Sequence, residues 1–503
     1  MSETNSHQAY DALAERFRRI SLLGDAEGML HWDYAAIMPE GGANARAEQL
    51  AELGAISHGI LTADETGDLI ARATDEAPDL TDWQVANLNE ISKKYRRAHA
   101  LNEEFVTTMA RAKSVCEQAW RQARAASDFT LIEPTLSPLL DLVREEAQRI
   151  GDALELDPLD ALMDAFEPGA RQANVDPVFA ELKGFLPEFL ESVLAKQQAE
   201  PDIIRPEGPF PIDIQRDVGL KFMETLGFDF SRGRLDVSHH PFCGGIPDDV
   251  RITTRYDEND FTSALMGVIH ETGHALYEQG LPADWRLQPV GNALGMSMHE
   301  SQSLLMEMQV CRSQAFLEYA IPIIRDAFNG SGPAWETENL IRLYHQVSRS
   351  FIRVDADEVT YPLHVIVRYT LEKQIISGDL KTSDIPAAWN QTFEDLVGVK
   401  IPDDANGVLQ DIHWYDGGFG YFPTYTLGAM TAAQIYQSAQ TTMPNVELEI
   451  STGNFSSLVG WLRENIHSQG RKLSTNDLLT QATGRPLETA PFLNHLKSRY
   501  LPS

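Results

Sequence analysis

The sequence of 503 residues contains little cysteine and few basic residues. Its 3 cysteines, Cys116, Cys243 and Cys311, are odd in number and far apart. That pattern excludes a disulfide framework and a thiolate metal site, and it favours a reducing compartment. Lysine and arginine number 41 against 74 acidic residues, which gives a formal net charge of −33. Nucleic acid is excluded as a partner, because binding to phosphates needs a basic stripe.

From the sequence we expect neither a leader nor a membrane segment. The N-terminal stretch MSETNSHQAYDALAERF has no basic start followed by an apolar run. No later stretch stays apolar over the length that a bilayer requires. We therefore expect a cytoplasmic, unprocessed protein that makes no membrane contact.

Helical patterns dominate what is present. From residue 8 to about 200, apolar residues recur at helical spacing, as in LDLVREEAQRIGDALEL. The proline-rich stretch 200–215 predicts an extended connection. The segments 234–245 and 249–257 alternate β-branched and polar residues, which predicts short strands and a small sheet. Helical patterns resume at 258, and the aromatic loop WYDGGFGYFPTY (414–425) interrupts them.

The pentapeptide HETGH, residues 270 to 274, is the feature that carries chemistry. Acidic residues precede its segment, and Gly280 followed by Pro282 ends it, so we predict a helix of about five turns. Histidines at i and i+4 share one helix face, so His270 and His274 can converge on one metal ion. Glu271 lies between them, placed to act as general base on the attacking water.

A catalytic zinc site needs a third protein ligand and one open position. The segment MSMHESQSLLMEMQV offers two candidates on a second helix, Glu300 and His299. Adjacent helical residues point about 100° apart, so only one of the two can face the metal. Glu300 is the preferred candidate, and His299 is the alternative.

The oxyanion that forms during hydrolysis needs hydrogen-bond donors besides the metal. His413, Tyr421 and Tyr425, in and beside the aromatic loop, are side chains of the right type. Packing within the loop is the alternative role for each of them.

Several sequence blocks, taken in order, resemble those of the carboxypeptidase Taq family of metallocarboxypeptidases. The blocks are HPF (240–242), D-x-R-x-T (249–253), HETGH (270–274), HESQS (299–303), IRVDAD (352–357) and GVLQDIHW (407–414). The segments 30–50, 419–428 and 484–493 are also similar, so the resemblance covers nearly the whole chain. The chain departs from the family pattern over 304–308, at Tyr415 and at Ala429, where we expect changes in the groove lining rather than in metal chemistry.

The resemblance implies a mostly α fold, two-lobed around a deep groove, with a small β-sheet near the metal-binding helix. It implies one metallocarboxypeptidase domain over 1–503, which divides into an N-terminal helical part (1–200), a connection with short strands (201–248), the metal and substrate site (249–430) and C-terminal helices (431–503). It further implies a homodimer that releases single residues from peptide C-termini with broad preference.

The resemblance also implies the ligands and the substrate contacts. Glu300 would be the third ligand of one divalent metal per chain, with zinc preferred and cobalt or manganese as alternatives. A guanidinium can hold the terminal carboxylate of a peptide through two parallel hydrogen bonds. Arg353 and Arg349 are placed slightly ahead of Arg251 for this task, and an ion pair with a neighbour such as Asp355 or Asp357 is the alternative. His240 of the HPF block completes the expected substrate-binding set.

Two other functions are compatible with the same residues. An endo-oligopeptidase of similar helical architecture would also carry HETGH and a distal glutamate. A non-catalytic peptide-binding protein with a structural metal is the second alternative. Structural zinc sites, however, are closed by four protein ligands, commonly cysteines, and such a site has no use for Glu271 as a base.

Overall fold

The computed structural model describes residues 7 to 502, so the first six residues of the N-terminal stretch considered above lie outside it. Within the described residues, nine α-helices precede the sheet: α1 (Gln8–Ala36), α2 (Ala43–Thr62), α3 (Asp64–Asp75), α4 (Asp82–His99), α5 (Glu103–Ala126), α6 (Glu133–Leu154), α7 (Pro158–Phe166), α8 (Gln172–Gln198) and α9 (Ile212–Leu226). The predicted run of helices is confirmed. The extended connection predicted over 200–215 is wrong in its last four residues, because α9 begins directly after Pro211. A proline at a helix start removes no intrahelical hydrogen bond.

The sheet and eleven further helices follow in the described chain. The strands are β1 (Gly233–Val237), β2 (Phe242–Ile246) and β3 (Asp249–Thr254). The helices are α10 (Phe261–Gly280), α11 (Met296–Leu304), α12 (Gln314–Ala327), α13 (Thr337–Tyr344), α14 (Tyr361–Ser377), α15 (Ile385–Val397), α16 (Pro423–Thr442), α17 (Val446–Ile450), α18 (Ser456–Asn465), α19 (Thr475–Thr483) and α20 (Ala490–Tyr500).

The three-stranded sheet packs directly against α10. Its middle strand, β3, runs parallel to β1 and antiparallel to β2. Val250 and Ile252 of β3 share a small buried cluster with Val268 and Ala275 of α10. The expected sheet beside the HETGH helix is therefore confirmed.

Two large hydrophobic cores share α16. The first is formed mainly by α5 to α8, α14, α15 and α20, and the second mainly by α9 to α13 and α17 to α19. Met430 and Ala433 of α16 belong to the first core, whereas Ala432 and Ile435 belong to the second. The mostly helical, two-lobed fold class is confirmed. Among the described residues, no helix combines the length and the low polarity needed to cross a bilayer.

Two glycines let α11 pack closely between α10 and α16. A Cβ at Gly273 would lie 2.4 Å from the carbonyl oxygen of Gln302 and 2.6 Å from the Cα of Ser303. A Cβ at Gly428 of α16 would lie 2.8 Å from the Cβ of Glu300. At Gly273 the obstacle is backbone, which cannot move aside as a flexible side chain can. The glycine within HETGH is therefore required by the backbone of α11.

We expect Gly273→Ala to lower the free energy of unfolding by about 1–3 kcal/mol, the usual cost of overpacking, because its methyl group would overlap the backbone of α11. Gly267→Ala is the matched control, since Gly267 lies in the same helix and a Cβ added there would meet no atom within 4 Å. The control should gain up to about 1 kcal/mol from helix propensity. Chemical denaturation measures both variants, and equal stability would contradict the close packing.

Candidate active site

Helix α10 presents its two histidines on one face. The helix is 20 residues long, as the sequence predicts, and Asp260 caps it by accepting a hydrogen bond from the Thr262 N–H at 2.8 Å. The ring centres of His270 and His274 lie 5.0 Å apart. The helix is buried along most of its length, whereas His270 and His274 are themselves partly exposed.

Helix α11 brings Glu300 to these two histidines. Oε2 of Glu300 lies 3.5 Å from Nε2 of His274 and 3.9 Å from Nε2 of His270. One possible ligand atom from each residue lies within 4.8 Å of the other two. Two imidazole nitrogens and one carboxylate oxygen form a donor set that suits a catalytic zinc ion. We call His270, His274 and Glu300 the candidate triad.

His299, the alternative third ligand, lies behind His274. Its Nδ1 is 2.6 Å from Nδ1 of His274, and its Nε2 is 2.8 Å from Oε1 of Glu278. It therefore contacts the outer nitrogen of His274, on the side of the ring away from Glu300. The geometry favours Glu300 over His299 as the ligand from α11.

Glu307 is a site residue that the sequence analysis missed. Its Oε2 lies 2.9 Å from Nδ1 of His270, and its Oε1 accepts a hydrogen bond from Nη2 of Arg312 at 2.9 Å. It belongs to a π-helical segment, Leu305–Val310, that continues α11. The sequence did hold a signal, because a residue seven positions after Glu300 returns to the same helix face. That stretch stood out only as a departure from the family pattern.

Burial and neighbouring charges shift the pKa values of the candidate triad. Burial, with a contribution from the His299 ring, lowers the pKa of His274 to about 4. Burial also acts to lower the pKa of His270, but the Glu307 hydrogen bond and the Glu300 charge outweigh it and raise that pKa to about 10. Burial acts to raise the pKa of Glu300, yet the two histidines of the triad bring it down to about 2. The cluster therefore holds an ionised carboxylate that attracts a cation.

Glu271 is buried beside the candidate triad, with 7% of its surface exposed. Burial raises its pKa to about 7, with His270 opposing the shift and Glu300 adding to it. A carboxylate with a pKa near neutrality can both take and return a proton. Burial keeps the pKa of the Cys243 thiol, on β2, well above its usual range, and the Glu271 charge adds to that shift.

The three predicted oxyanion donors lie together, with His413 beside both tyrosines. Oη of Tyr425 is 3.5 Å from Nε2 of His413, and the ring centres of Tyr425 and Tyr421 are 5.2 Å apart. Burial is the main cause that raises the pKa of both tyrosines, and the Glu300 charge adds to it. Burial lowers the pKa of His413 to about 4. The aromatic loop is shorter than predicted, since α16 begins at Pro423 and Tyr425 lies on that helix.

Arg353 lies against this aromatic group. Its guanidinium is 4.7 Å from the ring centre of Tyr425, and its Nη1 is 3.3 Å from Oη of Tyr361. Its Nη2 donates to Oδ1 of Asp411 at 3.0 Å, and the buried Arg368 donates to the other oxygen of that carboxylate at 2.8 Å. The ion-pair partner of Arg353 is thus Asp411, not Asp355 or Asp357.

The other predicted substrate-binding residues have different neighbours. Arg349 forms an ion pair with Glu191. Arg251 forms one with Asp249 on the same strand, at 2.6 Å. His240 is exposed. Across the described residues, no hydrogen bond, ion pair or ring contact joins these three side chains to the candidate triad.

Known proteins are similar to this chain in sequence and in fold. The family model of the carboxypeptidase Taq (M32) metallopeptidases matches residues 12–500. Thermostable carboxypeptidase 1 of Thermus thermophilus is 36% identical over 502 residues, 98% of each chain, and carboxypeptidase 1 of Bacillus subtilis is 35% identical over 96% of each chain. The structure of metallocarboxypeptidase 1 of Trypanosoma cruzi is similar, with a TM-score of 0.97, 39% identity, and coverage of 98% of this chain and 100% of that chain. The chain therefore belongs to the carboxypeptidase Taq (M32) family of metallocarboxypeptidases.

Proposed function

We propose that this protein removes the C-terminal residue of peptides, with the candidate triad holding one divalent metal and Glu271 acting as general base. The observation that carries the proposal is the convergence of the triad's three ligand atoms within 4.8 Å, beside a buried carboxylate. Three protein ligands leave a position for water, as catalytic zinc sites require. When bound, the metal lowers the pKa of water and polarises the scissile carbonyl.

The side chains around the triad then have distinct roles. The Glu271 carboxylate takes a proton from the attacking water and returns it to the nitrogen of the leaving amino acid, so the protons balance. Tyr421 and Tyr425 have raised pKa values, so they keep their phenolic protons and donate hydrogen bonds to the developing oxyanion. His413, in contact with Tyr425, orients that hydroxyl.

Arg353 is our candidate for the group that binds the terminal carboxylate. Its guanidinium lies 4.7 Å from the ring centre of Tyr425, and the Glu300 charge acts on the pKa of that same tyrosine, which supports a position near the triad. Two neighbours hold Arg353 in place. Gln410 accepts a hydrogen bond from its backbone N–H at 2.9 Å, and Asp411 accepts one from its guanidinium at 3.0 Å. A site that binds the carboxylate and the scissile carbonyl makes few demands on the side chain, which supports a broad residue preference.

We further propose zinc as the metal, with cobalt or manganese accepted by the same ligands. The three cysteines are free, which supports a cytoplasmic location. The homodimer is supported only by the family resemblance. One domain over 1–503 is supported by the sharing of α16 between both large cores.

Glu271→Gln should lose about 10²–10⁴-fold in kcat, because an amide cannot take a proton, while it still binds one metal ion per chain. His274→Ala is the comparison, and it should lose metal and activity together. Amino-acid release from an unblocked peptide and metal content after dialysis are the measurements. A metal-loaded Glu271→Gln protein with parental activity would contradict the role of Glu271.

Peptides with an amidated C-terminus separate a carboxypeptidase from an endo-oligopeptidase. We expect release of the last residue from the free-acid peptide and no cleavage of its amidated counterpart, because the amide cannot form the two-bond contact with a guanidinium. Mass spectrometry of the products shows which bond of each peptide is cleaved and so distinguishes the two enzyme classes. Internal cleavage of the amidated peptide would favour the endo-oligopeptidase.

Arg353→Lys should lower kcat/KM on free-acid peptides by about 10–100-fold, since hydrogen bonds to charged groups contribute about 1.5–3 kcal/mol and an ammonium lacks the planar fork. Arg349→Lys and Arg251→Lys are matched controls that keep their partly exposed ion pairs, and they should stay near the parental rate. Thermal unfolding of each variant shows whether a weakened ion pair with Asp411 has lowered the stability of the protein. A larger rate loss in either control would move the assignment to that arginine.

A further inference from the structure

The two histidines of the candidate triad are held from behind by different partners. Nδ1 of His270 faces a carboxylate directly, at 2.9 Å from Glu307. Nδ1 of His274 faces a second imidazole instead, at 2.6 Å from Nδ1 of His299. The other nitrogen of that imidazole, Nε2, faces Oε1 of Glu278 at 2.8 Å. His274 therefore reaches a carboxylate only through His299.

His299 and Glu278 meet where α11 packs against α10, and each helix supplies one of the two side chains. Glu278 lies four residues after His274 on α10, so the two share a helix face. His299 and Glu300 are adjacent on α11 and point about 100° apart, so Glu300 enters the triad while His299 passes behind His274. The connection thus runs from α10 to α11 and back to α10.

The hydrogen bonds determine which nitrogens carry protons. A hydrogen bond between two ring nitrogens needs one N–H and one lone pair. Nε2 of His274 faces Glu300 and would offer its lone pair to a bound metal, so the proton would lie on Nδ1 and be donated to His299. His299 then carries its own proton on Nε2 and donates it to Glu278.

We propose that His299 and Glu278 form a relay that fixes the tautomer and the orientation of His274, and so act as positioning residues for metal binding. The inference rests on the proposed function of the candidate triad. Partners that hold the outer nitrogen of a ligand histidine typically change metal affinity by about 10–100-fold. HETGH therefore contributes two ligands and HESQS contributes one, and His299 of HESQS also supports His274 of HETGH.

His467 provides a control for packing alone. The rings of His299 and His467 both contact Tyr277, with ring centres at 5.5 Å and 5.2 Å. His467 also contacts α11 through Gln302, at 3.0 Å from its Nε2. It makes no described contact with the triad. His467→Gln therefore removes similar packing and leaves the relay intact.

Two substitutions at position 299 separate the halves of the relay. Asparagine places its amide near the position of the histidine Nδ1, and glutamine places it near Nε2. His299→Asn should keep an acceptor for His274 and lose only the bond to Glu278, so its zinc affinity should fall less than that of His299→Gln, which should lose about 10–100-fold. Competition with a chelator, using zinc as the probe, measures the affinity of each variant and of His467→Gln, which should match the parent protein. Excess zinc should restore activity to His299→Gln, because its ligands are intact.

Equal affinities of His299→Asn and His299→Gln would overturn the relay, whether both fall or neither does. Glu278→Ala, at the partly exposed end of the relay, is a second variant whose folding is less at risk; it should also weaken zinc binding, and parental affinity there would overturn the outer step. His274→Ala distinguishes the relay from the proposed function. If His274→Ala keeps its zinc, the triad itself is wrong; if it loses zinc while His299→Gln does not, only the relay is wrong.

Discussion

The close approach of α10 and α11 is the constraint on which the site depends. Neither helix alone forms the candidate triad, because α10 supplies its two imidazoles and α11 supplies its carboxylate. Gly273 permits the approach by leaving room for the backbone of α11 at 2.4 Å from where a Cβ would lie. The same approach sets the 3.5 Å separation of Glu300 and His274 and the 2.6 Å contact between His274 and His299. Contacts this short allow little displacement of either helix.

That packing places several ionisable groups out of water, where isolated charges are costly. Several of them are matched by a neighbour of suitable charge or by a hydrogen bond. Glu307 lies between His270 and Arg312, and each of its oxygens has its own partner. Asp411 is shared in the same way by Arg353 and Arg368. Other arrangements of these side chains would leave a buried charge without its partner, which is costly. The contacts therefore favour the arrangement that is observed.

The sequence predicted those parts of the structure that depend on local spacing. The bounds of α10, the sheet beside it and the convergence of His270 and His274 follow from periodicity and from residues that begin or end helices. Contacts between distant segments left no comparable signal. Arg353 pairs with Asp411, 58 residues away, whereas the neighbouring Asp357 accepts hydrogen bonds from backbone N–H groups. The start of α9 was missed because the stretch 200–215 was treated as one proline-rich segment. Its prolines all precede Ile212, where the helix begins.

Helix α16 has a consequence for substitutions far from the metal. Its side chains enter both large cores, and its first turns carry Tyr425 and Gly428, which lies against Glu300. A volume change in either core that rotates or slides this helix would alter the distance between the Tyr425 hydroxyl and the candidate triad. Under the proposed function, turnover would then respond to repacking in either lobe even where the candidate triad is undisturbed, so selection for thermal tolerance and selection for rate would act on the same helix.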